Sequence, residues 1–562
     1  MSGFHQAPPA LANQYRDDAV LRSYLAATAP RDALADIEPE LDALGERAAG
    51  EWLALAEQAE ADPPRLVPFD AWGTRIDRIE TSDAWRAFER ISAAHGFVAR
   101  GYERAHGAFS RVDQFARLYL FAPSSATYSC PLAMSDGAAR CLELLASDDR
   151  QRAALRHLTS RDPEQFWTAG QWMTERTGGS DVSGTSTLAK RDGSHFRLYG
   201  TKWFTSATTS QMALTLARPE GAEAGSRGLS LFYLELRDET GLPRAMRVLR
   251  LKDKLGTRAL PTAEIELDGT PAWLVGGEGH GVRKIATVLT ITRIYNALAA
   301  VAGMRRALAL ARDYAAKRTA FGRPLAEHPL HLETLAAMQT ELTGCFLLVF
   351  RVIELLGLTE LGMATERDER LLRLLTPVAK LYTGKRAVAA ASEAIEAFGG
   401  AGYIEDTGLP RLLRDAQVLS IWEGTTNVLS LDVWRAIDAD PQTIDALCDE
   451  VHHQLDGAAG ADLAASAARV RDAVRALAHA SRRLADGDPA DREAVARRFA
   501  FGIARVAAGA LVIAHAHRAR STPVGVRIAD AARRWASSEL LPSLDTDDEH
   551  RAVSRRLALD LD

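Results

Sequence analysis

Residues 420–429, SIWEGTTNVL, set one carboxylate, Glu423, between a bulky aromatic and a glycine. A carboxylate on such a turn is open to whatever binds above it. Its apolar neighbours Ile421 and Trp422 leave it poorly hydrated, a setting that suits a general base. Thr425, Thr426 and Asn427 follow with hydroxyl and amide groups able to line a ligand. Taken alone, a Glu-Gly pair fits the end of a helix equally well. Three further segments bear on the choice. Residues 173–182, MTERTGGSDV, carry Met173, Thr174 and Ser180 around the pair Gly178 and Gly179. Backbone without side chains can approach a flat or anionic ligand there. Residues 201–206, TKWFTS, close a strand-like run with Trp203, Phe204 and Thr205. Residues 398–403, FGGAGY, make a second glycine turn at Gly399 and Gly400, with Arg414 and Asp415 beyond it. Singly, a glycine pair marks a turn and a tryptophan in a strand marks core. Their joint order along one chain is not easily a coincidence.

These segments need elements to hold them. Residues 23–162 read as helical, with Ala- and Leu-rich stretches punctuated by Pro30, Pro63, Pro64 and Pro68. The pattern changes near Phe166. Residues 196–206, 212–218, 229–237, 246–251 and 262–267 alternate or run apolar at strand length, with Gly and Asp turns between them. Helical periodicity then returns: Leu298, Val301, Ala302, Met304 and Leu308 share a face, as do Leu372, Leu375, Val378 and Leu381. The expected organisation is an N-terminal helical domain (1–165), a middle β-domain (166–281), a helical bundle (282–437) and a C-terminal helical, Arg-rich domain (438–562). No internal repeat or low-complexity linker is visible.

The chain has 562 residues, 47% hydrophobic and 25% charged, as expected of a soluble globular protein of several modules. A net charge of −6 gives no global attraction to nucleic acid. Cys130, Cys141, Cys345 and Cys448 lack metal-ligand spacing, which predicts free thiols in a reducing cytoplasm and no metal. The first residues carry no basic, then apolar, leader pattern. The most lipid-like run, 345–358, is interrupted by Arg351 and Glu354 and is read as a core helix too short to span a bilayer, so no membrane is expected.

The ordered motifs resemble the acyl-CoA dehydrogenase flavoproteins. Thr174 to Asp181 match that family's TE-x-x-G-G-S-D loop and Lys202 to Thr205 its K-W-x-T/S strand. Arg318 to Gly322 match R-x-x-F-G, Phe398 to Tyr403 the G-G-x-G-Y turn, and Trp422 to Thr425 the Y/W-E-G-T/S turn. The likeness spans roughly residues 13–437. Within the family the chain looks most like the AidB branch of alkylation-response flavoproteins, through MTE-x-x-GGSDV, RLKDKLG at 250–256 and SIWEG-x-x-N followed by LDV. The resemblance implies a mainly α fold with an inserted β-domain, a bound FAD, an acyl-thioester substrate and a homotetramer. Glu423 falls on the base position. The alternative position of the isovaleryl and long-chain relatives holds Thr292, which cannot act as a base. By the same resemblance Met173, Thr174, Gly179 and Ser180 face the flavin ring, while Trp203, Phe204 and Thr205 stack on it and bond near N5. Arg318 and Phe321 serve the flavin of a neighbouring subunit. Gly399 and Gly400 meet the diphosphate, Thr425 and Asn427 close over the cofactor, and Ser180 and Arg293 stand on the substrate side. Glu396 replaces a common glutamine and would repel a diphosphate unless protonated or turned away. Trp172 precedes the TE loop where smaller residues or Tyr are usual, and could reshape the ring pocket.

Residues 469–534 hold fourteen arginines against six acids, a local excess of eight positive charges. Arginines at helical spacing can form a stripe for phosphates, or a solvated face with ion pairs. Three functions are therefore open. One is an AidB-type flavoprotein that also protects duplex DNA. The second is a dehydrogenase of acyl thioesters in fatty-acid, amino-acid or specialised metabolism, with no DNA role. The third, an oxidase of nitroalkane type, is disfavoured because such relatives use Asp where Glu423 stands. No motif names the acyl chain, the thioester carrier or the electron acceptor.

Overall fold

The computed structural model describes residues 5–456 and 462–560. The chain gathers into two compact units. One comprises Arg47–Ala105 and Arg117–Tyr295, the other Met1–Glu46, His106–Ala116 and Asn296–Asp562.

The first unit is built on a seven-stranded sheet. The five expected strands form at His195–Ser206, Met212–Pro219, Ser230–Glu235, Met246–Leu251 and Thr262–Leu274. Two more, Ala169–Trp172 and Leu188–Asp192, are too short and too polar to stand out in the sequence. Pairing of Met212–Pro219 with Ser230–Glu235 closes the sheet on itself, so most strand edges are satisfied. Alternation assigns the two faces. Phe232 and Leu234 point into a core with Trp172, Phe196, Leu198 and Ile265. Leu231 and Tyr233 point the other way, onto Leu142, Leu158, Ile285 and Val288 of the covering helices. A strand buried on both faces explains why this stretch reads as a continuous apolar run.

One expectation is corrected here. The N-terminal segment is not helical throughout: Arg65–Phe69 and Arg75–Glu80 pair as an antiparallel hairpin. The alternation of charge and isoleucine in RIDRIE is a strand signal, masked by the prolines before it. The hairpin is fastened to the strand Met246–Leu251, where Asp77 accepts from Val248 N at 3.0 Å and Arg75 donates to Val248 O at 2.9 Å.

Among the described residues the second unit is helical, apart from the two-residue strands Thr319–Ala320 and Arg323–Pro324. Its longest helices within the unit are Pro329–Glu360, Glu366–Ala397 and Pro489–Arg518. Glu366–Ala397 opens with a capping box: Thr365 Oγ1 accepts from Asp368 N, and the Asp368 carboxylate accepts from Thr365 N. The C-terminal helices pack into the same unit. Trp535 lies on Gly344, where a Cβ would come within 2.3 Å of its ring, and its indole N–H donates to Arg505 O at 2.9 Å.

The apolar run 345–358 belongs to a helix of 32 residues, longer than the sequence suggested. By length and composition this helix, Gly281–Lys317 and Pro489–Arg518 are each apolar enough to cross a membrane, yet 78%, 67% and 89% of their most apolar windows are buried in the protein. Their apolar faces are spent on the core.

Candidate functional site

In the β-containing unit the loop 173–182 and the strand His195–Ser206 are tied together, since Trp203 N donates to Thr174 O at 2.9 Å. Beneath that bond Glu175 and Lys202 form an ion pair at 2.9 Å, their side chains 3% and 0% exposed. The Glu175 carboxylate also accepts from the N–H and hydroxyl groups of Ser186 and Thr187, and Lys202 Nζ donates to Leu216 O at 2.9 Å. Burial by itself would push the Glu175 carboxyl up, but the Lys202 charge and these hydrogen bonds outweigh it and hold the group at about 2. Burial pulls Lys202 below its ordinary value, opposed by Glu175.

Register against Thr262–Leu274 slips between Lys202, opposite Ile265, and Thr205, opposite Ala263. This bulge re-aims the residues on it: Trp203 is half-buried and Phe204 is 54% exposed. Thr205 is fully buried and donates to Ala263 O at 2.9 Å. Lys252 Nζ, bonded to Glu264, stands 3.8 Å from the Trp203 ring centre. Met173 and Thr174 are half-buried and Ser180 is exposed. Gly178 has φ +118°, and a Cβ on Gly179 would fall 2.4 Å from Thr174 Oγ1, so only bare backbone lets the loop fold over that hydroxyl. Trp172 does not shape this surface: it is fully buried in the sheet core and its indole donates to Ser206 O at 3.3 Å. Arg293 is half-buried on Gly281–Lys317, where the Thr292 hydroxyl is turned back onto Val288 O.

The helical unit holds the remaining residues. Arg318 is half-buried and its guanidinium donates to Gln6 Oε1 at 3.4 Å. Phe321 and Gly322, at φ +51° and +83°, form the two-residue turn of a short hairpin, and the Phe321 ring is 98% exposed. Gly399 has φ +62°, and a Cβ on it or on Gly400 would meet nothing within 4 Å. Glu396 is exposed to solvent.

Glu423 is half-buried at φ +57°, a conformation a side chain adopts only when its surroundings impose it. The turn is held from two helices. Asn296, with its amide oriented to satisfy both neighbours, donates to Leu419 O at 3.0 Å and accepts from the Trp422 indole. Lys380, fully buried on Glu366–Ala397, donates to Gly424 O at 2.6 Å. Thr425 caps the helix Thr426–Ala439 and accepts from Val428 N; Asn427 is exposed. Thr426 Oγ1 is buried without a partner among the described residues.

Sequence reasoning gave no role to the group that braces these segments: Glu175, Lys202, Lys380 and Asn296. The available signal was a charge within an apolar run, as in VAKLY at 378–382. The residues present fit a flavin dinucleotide. Gly399 and Gly400 offer open backbone for a diphosphate, and the bulge presents aromatic surface for a ring system.

The arginines of 469–534 are largely committed internally. Arg475, Arg482, Arg492, Arg533 and Arg534 pair with Asp472, Asp445, Asp438, Asp530 and Glu333. Arg469, Arg483, Arg498 and Arg505 donate to the carbonyls of Ala536, Leu544, Ser543 and Glu539. The four cysteines are free.

Four family models match in sequence. They are the adaptive response protein AidB N-terminal domain over residues 6–164, the acyl-CoA dehydrogenase middle domain over 170–270, the acyl-CoA dehydrogenase C-terminal domain over 279–437, and the acyl-CoA dehydrogenase 11 C-terminal domain-like model over 442–561. Acyl-CoA dehydrogenase family member 11 of Caenorhabditis elegans is 45% identical over 92% of this chain and 86% of its own length. The putative acyl-CoA dehydrogenase AidB of Escherichia coli is 35% identical over 71% of this chain and 73% of its own. The crystal structure of C. elegans ACDH-11 in complex with C11-CoA superposes with a TM-score of 0.97 at 42% identity, covering 100% of this chain and 97% of that one. The chain belongs to the acyl-CoA dehydrogenase family, FAD-dependent flavoproteins that oxidise CH–CH groups.

Proposed function

We propose that the chain is a dehydrogenase of acyl-CoA thioesters in which Glu423 is the general base. FAD, when bound, would supply the hydride acceptor. Glu423 takes the α-proton onto a carboxylate oxygen as the β-hydrogen leaves as hydride. Trp203, Phe204 and Thr205 on the bulge, with Met173, Thr174, Gly179 and Ser180, orient the ring, while Gly399, Gly400, Thr425, Asn427 and Arg318 hold the rest of the cofactor. Ser180 and Arg293 stand on the substrate side. The observation that carries this reading is the Glu423 turn, a carboxylate held at φ +57° and braced from two helices. The C11-CoA bound by the similar worm protein supports acyl-CoAs of comparable length as substrates. Phe321, a nearly fully exposed aromatic on a strained turn, supports a homotetramer in which it meets a neighbouring copy. Free cysteines accord with a cytoplasmic setting. Protection of duplex DNA is not part of this reading, because most of the arginines it would use are engaged within the protein.

The test is anaerobic titration of the yellow holoprotein with a panel of saturated acyl-CoAs that includes the C11 thioester, on the natural chain and on Glu423→Gln. The flavin of the natural chain should bleach. The variant should retain FAD and lose reduction by about 10²-fold or more, the range expected for a general base. Unchanged reduction in the variant moves the base elsewhere, and a panel that never bleaches the natural chain removes the dehydrogenase reading.

A further inference from the structure

A left-handed φ at a residue with a side chain is strained, so a protein keeps it only where the surroundings over-determine it. Around Glu423 the surroundings are specific. Lys380 and Gly384 lie one helical turn apart on Glu366–Ala397, facing the same segment. At Gly384 the helix comes so close to the chain entering the turn that a Cβ would sit 2.7 Å from Leu419 O and 3.3 Å from Ser420 N. At Lys380 the ammonium reaches the carbonyl of Gly424, just beyond Glu423, at 2.6 Å. A hydrogen bond from a charged donor in a buried setting is about twice as strong as a neutral one. Asn296 adds a third hold, on Leu419 O and the Trp422 indole. The turn is therefore pinned before and after the carboxylate, and Lys380 is the charged pin.

We propose that Lys380 is a positioning residue for the base: through the Gly424 carbonyl it fixes the turn that aims Glu423, without itself touching substrate or cofactor. This rests on the reading of Glu423 as the base. A neutral, donor-free side chain at 380 leaves that carbonyl free to rotate, and the carboxylate relaxes toward an ordinary backbone conformation.

The experiment compares Lys380→Met, Lys380→Arg and Glu423→Gln as FAD-loaded holoproteins, using an acyl-CoA that bleaches the natural chain. Lys380→Met should keep its flavin and its KM but lose kcat by about 10²-fold, the cost of a displacement of about 1 Å at the reacting atoms. It should lose by a similar factor the exchange of α-hydrogens into D2O, measured by NMR with a thioester that cannot be oxidised at the β-carbon. That exchange reads the base alone, as the α C–H bond breaks to Glu423 and a deuteron returns. Lys380→Arg, which keeps a charged donor, should recover much of both. Lys380→Met with natural kcat and exchange, while Glu423→Gln is inactive, overturns the positioning role and leaves the base in place. Active Glu423→Gln overturns the base itself. If Lys380→Met does not fold, Gly384→Ala carries the same expectation without removing a charge: it displaces Leu419 and should lower kcat and exchange together. A fully active Gly384→Ala then overturns the proposal.

Discussion

Glu175 and Lys202 show how two buried residues outside the proposed ligand set tie residues of that set together. Their ion pair joins the loop bearing Thr174 to the strand bearing Trp203, and both charges are buried. Removing one partner leaves the other charge uncompensated, which costs about 3–5 kcal/mol. Glu175→Gln should therefore weaken FAD retention at neutral pH, read as free flavin fluorescence after gel filtration, although Glu175 contacts no flavin in the proposed assignment. The acid dependence has a defined sign. Glu175 is held at about 2, below its ordinary 4.5. A depressed carboxyl contributes stability that is complete above the unfolded value and is lost as pH falls through the folded one. FAD release from the natural chain should thus rise between about pH 4.5 and 2, and Glu175→Gln should lack that component. An unchanged acid profile in the variant would assign the loss to another carboxylate. Glu423, Thr174 and Trp203 were legible in the sequence because their motifs carry them. Lys380 and Asn296 were not, because a buried lysine and an asparagine on helices show their purpose only when the turn they hold is seen beside them.

Glycine turns allow a sharper separation of packing from ligand binding. In the turn after Glu366–Ala397 a Cβ on Gly402 would lie 2.1 Å from Ile395 O, whereas one on Gly400 would meet nothing within 4 Å. Gly402→Ala should destabilise the protein itself by about 1–3 kcal/mol, as overpacking against fixed backbone does, visible as a lower Tm of the apoprotein. Gly400→Ala should leave that Tm unchanged and, if this turn holds the diphosphate as proposed, lower FAD affinity, since the added methyl would stand in that space. Full FAD affinity in Gly400→Ala would remove the diphosphate role from this turn. At this scale the sequence was informative where an element had a long, uniform pattern. The strands His195–Ser206 and Met212–Pro219 emerged within a residue of their limits. Leu188–Asp192 and the hairpin at Arg65–Phe69 and Arg75–Glu80 did not, because their pairing is decided by distant partners such as Arg218 and Val248 and not by local periodicity. The bulge between Lys202 and Thr205 was likewise invisible, since an extra residue is defined only against the opposing strand.

For the whole molecule, assembly and surface charge make opposite demands on exposed side chains. Phe321 is 98% exposed on a turn with positive φ, and a large apolar ring left in water has value if a second copy covers it. Phe321→Asp should dissociate the expected tetramer in light scattering and release FAD in proportion; a monomer that keeps FAD in the natural chain would contradict the coupling. The arginine-rich segment carries the last expectation. Its fourteen arginines give a local excess of eight charges, which alone would attract a duplex within the Debye length of about 10 Å. Attraction is not contact, however, and an arginine already bound to Asp, Glu or a carbonyl must break that bond before it can neutralise a phosphate. Arg497, Arg518 and Arg527 make no hydrogen bond or ion pair among the described residues, although the Arg497 guanidinium lies over the Phe501 ring, so three phosphates are the natural limit without rearrangement. Each neutralised phosphate contributes about −0.9 to the log–log slope of affinity against salt. Fluorescence anisotropy with a short duplex should therefore give weak, sequence-independent binding with a slope no steeper than about −3. Arg534→Glu, which breaks the pair with Glu333, should lower Tm and leave that slope where it was. A slope several times steeper, flattened by reversing Arg497 and Arg498, would mean that the internal bonds of this segment open to DNA, and would restore a nucleic-acid role beside the dehydrogenase.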